Sequence, residues 1–198
     1  MNKVEVFEKE LGWVENDTIK EFCKTMIRGL PDYFFEVAAS STGKYHPQYA
    51  LGRGGLVRHT KAALIIAKEL LALEMFSKKF TSDDKDLIYT AIIAHDGKKH
   101  GDGNSKYTVV EHPIVAANYV KEVQDHTELL TSEQIEKLSG MIASHMGQWN
   151  TDRYKNEIMP KPKTSLQHFV HLCDYLASRK CLQMDFGDDV YDPDDFKD

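Results

Sequence analysis

A histidine and an aspartate stand side by side on the apolar face of a predicted helix in this 198-residue chain. His95 follows Ala91 by four residues and Ile92 by three, which is the spacing of one helical face, and Asp96 is its neighbour. An aspartate in a buried position is normally paired, because an unpaired buried carboxylate costs several kcal/mol. The pair is therefore a candidate for chemistry rather than for packing.

Four further polar residues stand at inward positions or at the start of other predicted helices. They are His59, His112, His145 and Asp174. A single inward histidine is most simply a hydrogen-bonded core residue. When several helices point such groups inward, a divalent cation satisfies them together, because it takes deprotonated nitrogen and oxygen ligands from several elements. The pattern therefore predicts a metal site.

The elements that would position these residues are helices. Apolar residues recur at helical spacing nearly throughout, and convincing strands are absent. Capping boxes formed by Thr131 with Gln134 and by Thr164 with Gln167 predict the starts of two helices. The predicted helices cover residues 17–30, 31–39, 56–76, 81–97, a segment opened by Pro113, 131–146 and 164–182. The expected fold is an all-α bundle of about six or seven helices.

Composition and charge narrow the class of protein further. The apolar fraction of 41% suffices for a sizeable core, and the longest apolar run, residues 62–67, is far shorter than the about 18–20 residues of a membrane span. The first ten residues hold no signal-peptide core, and the three cysteines form no CxxC pair. We therefore expect a cytoplasmic protein without a membrane partner. The oligomeric state stays open.

The negative charge is concentrated at the end of the chain. The net charge is −6, and residues 185–198 contain seven Asp and one Lys, so the rest of the chain is neutral. This tail is predicted to be solvated or disordered. A neutral body disfavours a protein that coats long nucleic acid but is compatible with a small phosphate-bearing ligand. Three segments are expected: an N-terminal helical segment and loop at 1–50, a domain at 51–184, and the tail.

The order of the polar residues resembles that of the HD-domain superfamily of metal-dependent phosphohydrolases, in particular its six-ligand binuclear type. The pair His95-Asp96 is the one that names the superfamily, and Lys99 stands at its usual place three residues after the aspartate. Lys98 departs from the pattern, which commonly has glycine there. The stretch GGLVRHT at 54–60 is similar to the GGLxxHT start of the HD domain in bacterial 3′→5′ exoribonucleases. The resemblance covers roughly residues 46–180.

The resemblance implies a site for two divalent metal ions, whether Mn, Fe, Mg, Co or Ni. It assigns one metal to His59, His95, Asp96 and Asp174, and a second to Asp96, His112 and His145. Asp96 would bridge the two, and a hydroxide held between the metals would attack the phosphorus. Lys99 would neutralise charge on the phosphate, so Asp96 and Lys99 are the candidate catalytic residues.

Candidate substrate-binding residues lie on both sides of the predicted ligands. The loop before His59 holds Ser40, Ser41, Lys44, His46, Arg53 and Arg58. It reads either as a solvated loop or as a clamp for a substrate phosphate. After His145, Gln148 and Arg153 are candidates for the same mouth, while Trp149 either packs or stacks on a base. His171, three residues before Asp174, is a candidate to orient a ligand.

The favoured function is hydrolysis of a nucleotide or a short phosphodiester. A 3′→5′ exonuclease-like phosphodiesterase is a close alternative. A second is the mixed-valent di-iron oxygenase, since a minority of six-ligand HD proteins of this ligand order are such enzymes. A binding module with a silent site is a third class, and the complete ligand set argues against it.

Overall fold

The computed structural model describes residues 2–40, 43–44, 46–102 and 105–196. These residues form α1 (Glu8–Leu11), α2 (Asp17–Arg28), α3 (Tyr33–Glu36), α4 (Gly55–Ala72), α5 (Glu74–Ser77), α6 (Ser82–Ala94), α7 (His112–Thr127), α8 (Ser132–Ala143) and α9 (Ser165–Ala177). Short 3₁₀ turns cover Glu5–Phe7, Gln48–Ala50 and Pro193–Phe196. Within the described ranges the extended pairing is a single bridge between Thr151 and Glu157. The predicted all-α class is confirmed.

Side-chain caps set the starts of several helices. The Thr131 hydroxyl accepts a hydrogen bond from the backbone nitrogen of Gln134 at 3.2 Å, and the Gln134 side chain accepts one from the Thr131 nitrogen at 2.9 Å. The same reciprocal box starts α6 at Thr81 and α9 at Thr164. Because the first backbone N–H groups of a helix have no partner within it, each box satisfies donors that would otherwise stay unpaired.

Six of the predicted helices end two to five residues earlier in the structure than their periodicity predicts, and three of them illustrate the difference. The segment expected at 56–76 breaks at Leu73, whose extended backbone separates α4 from α5. The prediction of a helix through Met146 is wrong, because α8 ends at Ala143 and a turn follows. The prediction of a helix through Leu182 is also wrong, since α9 ends at Ala177. After α8 the chain turns at Gly147, whose φ is +60°, and after α9 it continues as turn and irregular backbone.

One continuous core joins the helices. Helix α4 packs against α6 and α9, and α8 packs against α6, α7 and α9. Buried apolar residues from Val6 to Tyr191 belong to the same cluster, so the ends of the chain contribute to it as well. None of the helices in the part of the chain that the structure covers is long and apolar enough to cross a membrane.

The acidic C-terminal segment packs on this core. Tyr191 is buried, and its hydroxyl donates to the carbonyl of Phe35 at 3.2 Å. The Arg58 guanidinium donates in turn to the carbonyl of Tyr191 at 2.8 Å. Phe186 is buried too. The prediction of a solvated tail is therefore wrong for residues 185–196, because apolar side chains between the aspartates find a surface to cover.

A buried ion network ties the same segment to α4. The Lys61 ammonium lies 3.3 Å from a carboxylate oxygen of Glu10 and 3.1 Å from one of Asp189. Glu10 and Lys61 are nearly inaccessible to solvent, whereas the Asp189 side chain is 39% exposed. Burial raises the pKa of Glu10, and the neighbouring Lys61 opposes that shift. Lys61 is therefore the counter-charge that makes this buried carboxylate tolerable.

Candidate metal centre

Five structural elements bring the predicted ligands to one place. The six residues lie inside α4, at the end of α6, at the start of α7, in the turn after α8 and inside α9, and they are His59, His95, Asp96, His112, His145 and Asp174. Five of them are buried, and the Asp174 side chain is 19% exposed. Residues far apart in sequence thus converge because the helices that carry them pack around one core.

Two glycines allow α4 to begin where it does. Gly54 has a backbone φ of +72°, a left-handed conformation that other residues adopt with strain. At Gly55 a β-carbon would lie 2.3 Å from the carbonyl oxygen of Ala50, so any side chain there would clash with backbone. The helix therefore starts in close contact with the preceding loop, and His59 follows about one turn later.

A first group of ligand atoms joins α4, the end of α6 and α9. His59 Nε2 lies 3.0 Å from Asp174 Oδ1, and His95 Nε2 lies 3.5 Å from the same oxygen. The ligand atoms of these three residues all lie within 4.8 Å of one another. Two imidazoles and a carboxylate at this separation could hold one metal ion.

A second group joins the ends of α6 and α8. It consists of His95, Asp96 and His145, whose ligand atoms again lie within 4.8 Å of one another. His112 stands next to this group, with its Nε2 at 3.0 Å from Asp96 Oδ1 and at 3.3 Å from His145 Nε2. The other oxygen of Asp96, Oδ2, lies 3.6 Å from His95 Nε2. Asp96 thus presents Oδ1 to His112 and His145, and Oδ2 to His95 and Lys99.

The backbone selects one tautomer for three of the histidines. In His95, His112 and His145 the Nδ1 atom lies 2.6, 2.8 and 2.8 Å, respectively, from the carbonyl oxygen three residues earlier. A carbonyl can only accept, so in each ring Nδ1 carries the donated proton. The Nε2 lone pairs are therefore left facing the cluster, as in histidines that bind metal through this nitrogen.

Burial and neighbouring charges give these groups unequal proton affinities. Burial together with His95 and His112 lowers the pKa of His145 to about 3, so its imidazole is neutral at ordinary pH. Burial also disfavours a charged His95, but the carboxylates of Asp96 and Asp174 outweigh it and raise the pKa of His95. The cluster therefore combines a cation-attracting pair of carboxylates with a neutral nitrogen donor at His145.

Both carboxylates are held ionised despite burial. Burial would raise the pKa of Asp96, but the charges of Lys99 and His95 keep it well below its ordinary value. Burial would likewise raise the pKa of Asp174, and the neighbouring His59 and His95 keep it well below its ordinary value. Two buried anions in one cluster provide the charge that a divalent cation requires.

The chemistry of the unpaired atoms in the cluster fits a metal centre. His95 Nε2 is buried and has no hydrogen-bond partner in the described chain. With the tautomers above, the lone pair of His145 Nε2 faces His112 Nε2 at 3.3 Å. Acceptors that face each other repel unless a positive charge lies between them. Imidazole nitrogen and carboxylate oxygen together suit divalent ions such as manganese, iron, cobalt or nickel.

A cavity of about 470 Å³ opens over the cluster. Asp96, Lys99, His112, His145 and Asp174 line one side of it, and the Lys99 ammonium is paired with Asp96 Oδ2. The volume is in the range of small-molecule sites. The ligand side chains are therefore reachable by a small substrate although they are buried.

His46 is the predicted substrate residue that reaches this cavity. It lines the wall, and its ring lies against that of His59 with centroids 5.1 Å apart. Burial, His59 and Lys99 lower the pKa of His46 to about 3, so it faces the cavity as a neutral imidazole. Ser40 lines the cavity as well, whereas Ser41 lies outside the described residues.

The two arginines of the same loop are engaged elsewhere. Arg53 forms ion pairs with Glu36 and Asp194 on the protein surface. Arg58 donates hydrogen bonds to backbone carbonyls of Tyr49, Leu51, Arg53 and Tyr191. Neither guanidinium lines the cavity. Both residues therefore hold the loop and the C-terminal segment together. The expectation that they clamp a phosphate does not hold in this structure.

Lys44 and Gln148 are also away from the cavity wall. Both are exposed, and neither is among the residues that line the cavity. Arg153, the other candidate after His145, stacks over the ring of Tyr154 with its guanidinium carbon 4.6 Å from the ring centroid. Of the residues predicted to contact the substrate, Ser40, His46 and Trp149 line the cavity.

His171 supports the turn that carries His145. Its Nδ1 donates to the carbonyl of His145 at 2.6 Å. Gly147 closes the same turn with a φ of +60°, and a β-carbon there would lie 2.2 Å from the His171 ring. His171 therefore supports the candidate ligand His145 by a hydrogen bond to the backbone carbonyl of His145 and not to the His145 imidazole.

Sequence reasoning missed the apolar lining residues Ala39 and Met146 and four residues with polar groups, which are Thr108, Tyr175, Ser178 and Arg179. Tyr175 and Arg179 carry a local signal, because an aromatic residue and an arginine four positions apart share a helical face. Thr108 and Ser178 offer none that we can identify, since polar residues near helix ends are common on any surface.

Comparison with known families agrees with this geometry. The family model described as HD domain matches residues 56–179, more than half of the chain. No curated protein and no solved structure matches the chain significantly. The matched range begins one residue after Gly55 and contains all six candidate ligands. HD domains bind divalent metals, and the superfamily is in general one of metal-dependent phosphohydrolases. This chain belongs to the HD-domain family.

Proposed function

We propose that the protein is a binuclear metal-dependent phosphohydrolase that cleaves a nucleotide or a short phosphodiester. The observation that carries this proposal is the pair of ligand groups that share His95 beneath one cavity, with Asp96 next to the shared histidine. One ion would be held by His59, His95, Asp96 and Asp174, and the other by Asp96, His112 and His145. The two oxygens of Asp96 lie near different histidines, His95 and His112, which suits a bridging role.

Bound divalent ions would supply Lewis acidity, polarising a phosphoryl oxygen and lowering the pKa of bound water from about 15.7 toward about 7. The chain's own residues then have separate tasks. Asp96 and Asp174 supply the negative charge, and the three imidazoles with a protonated Nδ1 direct lone pairs inward. His59 contacts Asp174 through its Nε2, and His171 holds the backbone carbonyl of His145.

Lys99 is the candidate for charge stabilisation at the phosphate. Its ammonium lines the cavity and is paired with Asp96 Oδ2. The backbone nitrogen of Val109 donates to the Lys99 carbonyl at 2.9 Å, which fixes the start of the loop that follows. A cation in this position is placed to neutralise the charge that develops on a phosphate during attack.

Metal content and hydrolysis of a simple phosphodiester test the proposal. We expect close to two manganese ions per chain and manganese-dependent release of nitrophenol from bis(p-nitrophenyl) phosphate. Loss of this activity after chelation, with recovery on adding manganese, supports the assignment. Activity that instead requires both iron and oxygen, with no cleavage of any phosphoester, would identify an oxygenase and refute the hydrolase.

A further inference from the structure

Three side chains form a wall on the cavity that the metal chemistry does not use. The rings of Trp149 and Tyr175 are stacked, with centroids 5.6 Å apart and an angle of 12° between their planes. The Arg179 guanidinium carbon lies 4.4 Å from the centroid of the Tyr175 ring. All three residues line the cavity that reaches Asp96 and Asp174. We call them the Trp149 wall.

The wall is held in place from behind. The backbone nitrogen of Trp149 donates to the carbonyl of Met146 at 3.1 Å. The buried Asn150 side chain donates to the carbonyl of Met159 at 2.8 Å. Tyr175 belongs to α9, directly after Asp174. Trp149 thus follows the turn that carries His145, and Tyr175 and Arg179 follow Asp174 along the chain.

The wall has unused binding capacity. Trp149 is 45% exposed, although one face of its indole ring is stacked on Tyr175. Arg179 donates through Nε and Nη2 to the Ser178 hydroxyl, at 3.2 and 2.8 Å. It has no carboxylate partner in the part of the chain that the structure describes. The other cation on the cavity wall, Lys99, is paired with Asp96.

We propose that the Trp149 wall selects nucleotides that carry a phosphate besides the one that is cleaved. The base stacks on Trp149, and the phosphate that is not cleaved pairs with Arg179. This inference rests on the proposed hydrolysis of a phosphoester at the cluster. Exposed aromatic rings bind bases of any sequence by stacking, and a guanidinium binds phosphate through parallel hydrogen bonds.

The separation of charges favours this substrate class over a simple monophosphate. A phosphate at the cluster is already served by Lys99 and by the cations that the carboxylates attract. An arginine without a carboxylate partner at the aromatic side of the same cavity adds a second place for an anion. The cavity volume of about 470 Å³ suits a small nucleotide rather than an extended strand.

Calorimetric titration of the metal-free protein in EDTA tests the wall apart from catalysis. The probes are adenosine, inorganic pyrophosphate and adenosine 3′,5′-bisphosphate. We expect Trp149→Leu to weaken binding of adenosine and of the bisphosphate by about 5- to 150-fold, the range for loss of one stacked base. We expect Arg179→Met to weaken pyrophosphate and the bisphosphate by about 10- to 150-fold, and adenosine by less than about twofold.

Two neighbouring residues provide matched controls. Arg153→Met removes an arginine, and Tyr154→Leu removes an exposed aromatic ring, from residues of the following loop that do not line the cavity. Both control variants should bind all three probes as the wild type does. Thermal melting of each variant separates a loss of contact from a loss of fold.

The outcomes distinguish this inference from the proposed function. The inference is refuted if the Trp149→Leu and Arg179→Met variants are folded and bind every probe like the wild type. It is also refuted if the wild-type protein binds neither adenosine nor pyrophosphate. Cleavage of bis(p-nitrophenyl) phosphate, which has neither a base nor a second phosphate, reports on the cluster alone. If this cleavage is absent while the probe pattern is as expected, the proposed function fails and the wall remains a nucleotide-binding site.

Discussion

Metal occupancy should depend on His145 and Asp96 in different ways. In the proposed arrangement Asp96 would bridge the two ions, whereas His145 belongs to the second group alone. His145→Ala should therefore retain close to one ion per chain, and Asp96→Ala should lose both. Loss of one imidazole is expected to weaken the second ion by about 10- to 100-fold or more, since even changes behind a ligand cost this much.

The same argument predicts stepwise differences in the free energy of unfolding between the wild type and the two variants. At a free metal concentration of about 100 times the dissociation constant, each bound ion stabilises the folded protein by about 2.7 kcal/mol. Two ions then contribute about 5.4 kcal/mol, or roughly 11–22 °C in melting temperature for a chain of this size. In His145→Ala the second ion contributes only about 0.4–1.4 kcal/mol at the same concentration. In Asp96→Ala added metal should produce almost no shift.

Elemental analysis and thermal melting with manganese or EDTA measure both quantities on the same samples. His126→Ala is the matched control, because His126 is an exposed histidine on α7, away from the cavity. It should bind two ions and show the full shift. If the wild type carries one ion, and His145→Ala keeps that ion, its thermal shift and its activity, the binuclear assignment is refuted. The remaining histidines would then face the substrate or support the fold.

Three other predictions concern residues that are not candidate metal ligands. Lys99→Met should keep full metal content but lose about 10²–10³ in rate, the scale of one electrostatic stabiliser, and wild-type turnover would exclude the role. Lys61→Met should cost about 3–5 kcal/mol in urea unfolding at pH 7–8 by leaving buried Glu10 without a cation, and Glu10→Leu in the same chain should recover much of it. Because the pKa of Glu10 is raised in the folded state, the penalty should shrink as pH falls toward 5, and a pH-independent penalty would contradict this cause. Arg53→Ala should leave kcat/KM within about twofold of the wild type, since its guanidinium pairs with carboxylates on the surface, and a large rise in KM would restore it as a phosphate ligand.

Local signals made much of the fold predictable. Reciprocal caps at Thr131 and Thr164 are contained within four residues of sequence, so the starts of α8 and α9 follow from the sequence directly. Helix ends depend on how the next segment packs. The end of α8 is an example, because the turn at Gly147 fits against His171 from another helix.

Four of the six candidate ligands were also recognisable as polar residues in an apolar pattern, namely His59, His95, His145 and Asp174. Asp96 and His112 completed the set through the resemblance to the HD-domain order. That the six residues converge on one cluster was an expectation from their number, and the structure brings their atoms within a few ångströms of one another. Their tautomers could not be predicted, since each depends on a carbonyl whose position is set by a helix end.

Long-range partners decided the rest. Arg53 and Arg58 stand in a loop beside a candidate ligand, as a phosphate clamp would, but the folded C-terminal segment supplies them with Asp194 and with the carbonyl of Tyr191. Arg179 carries the same charge and has no such partner in the described chain, so it is the arginine left facing the cavity. Sequence by itself determined which side chains are charged, apolar or able to bind metal. Only the tertiary structure determined which charges are already paired, because pairing depends on segments more than a hundred residues apart.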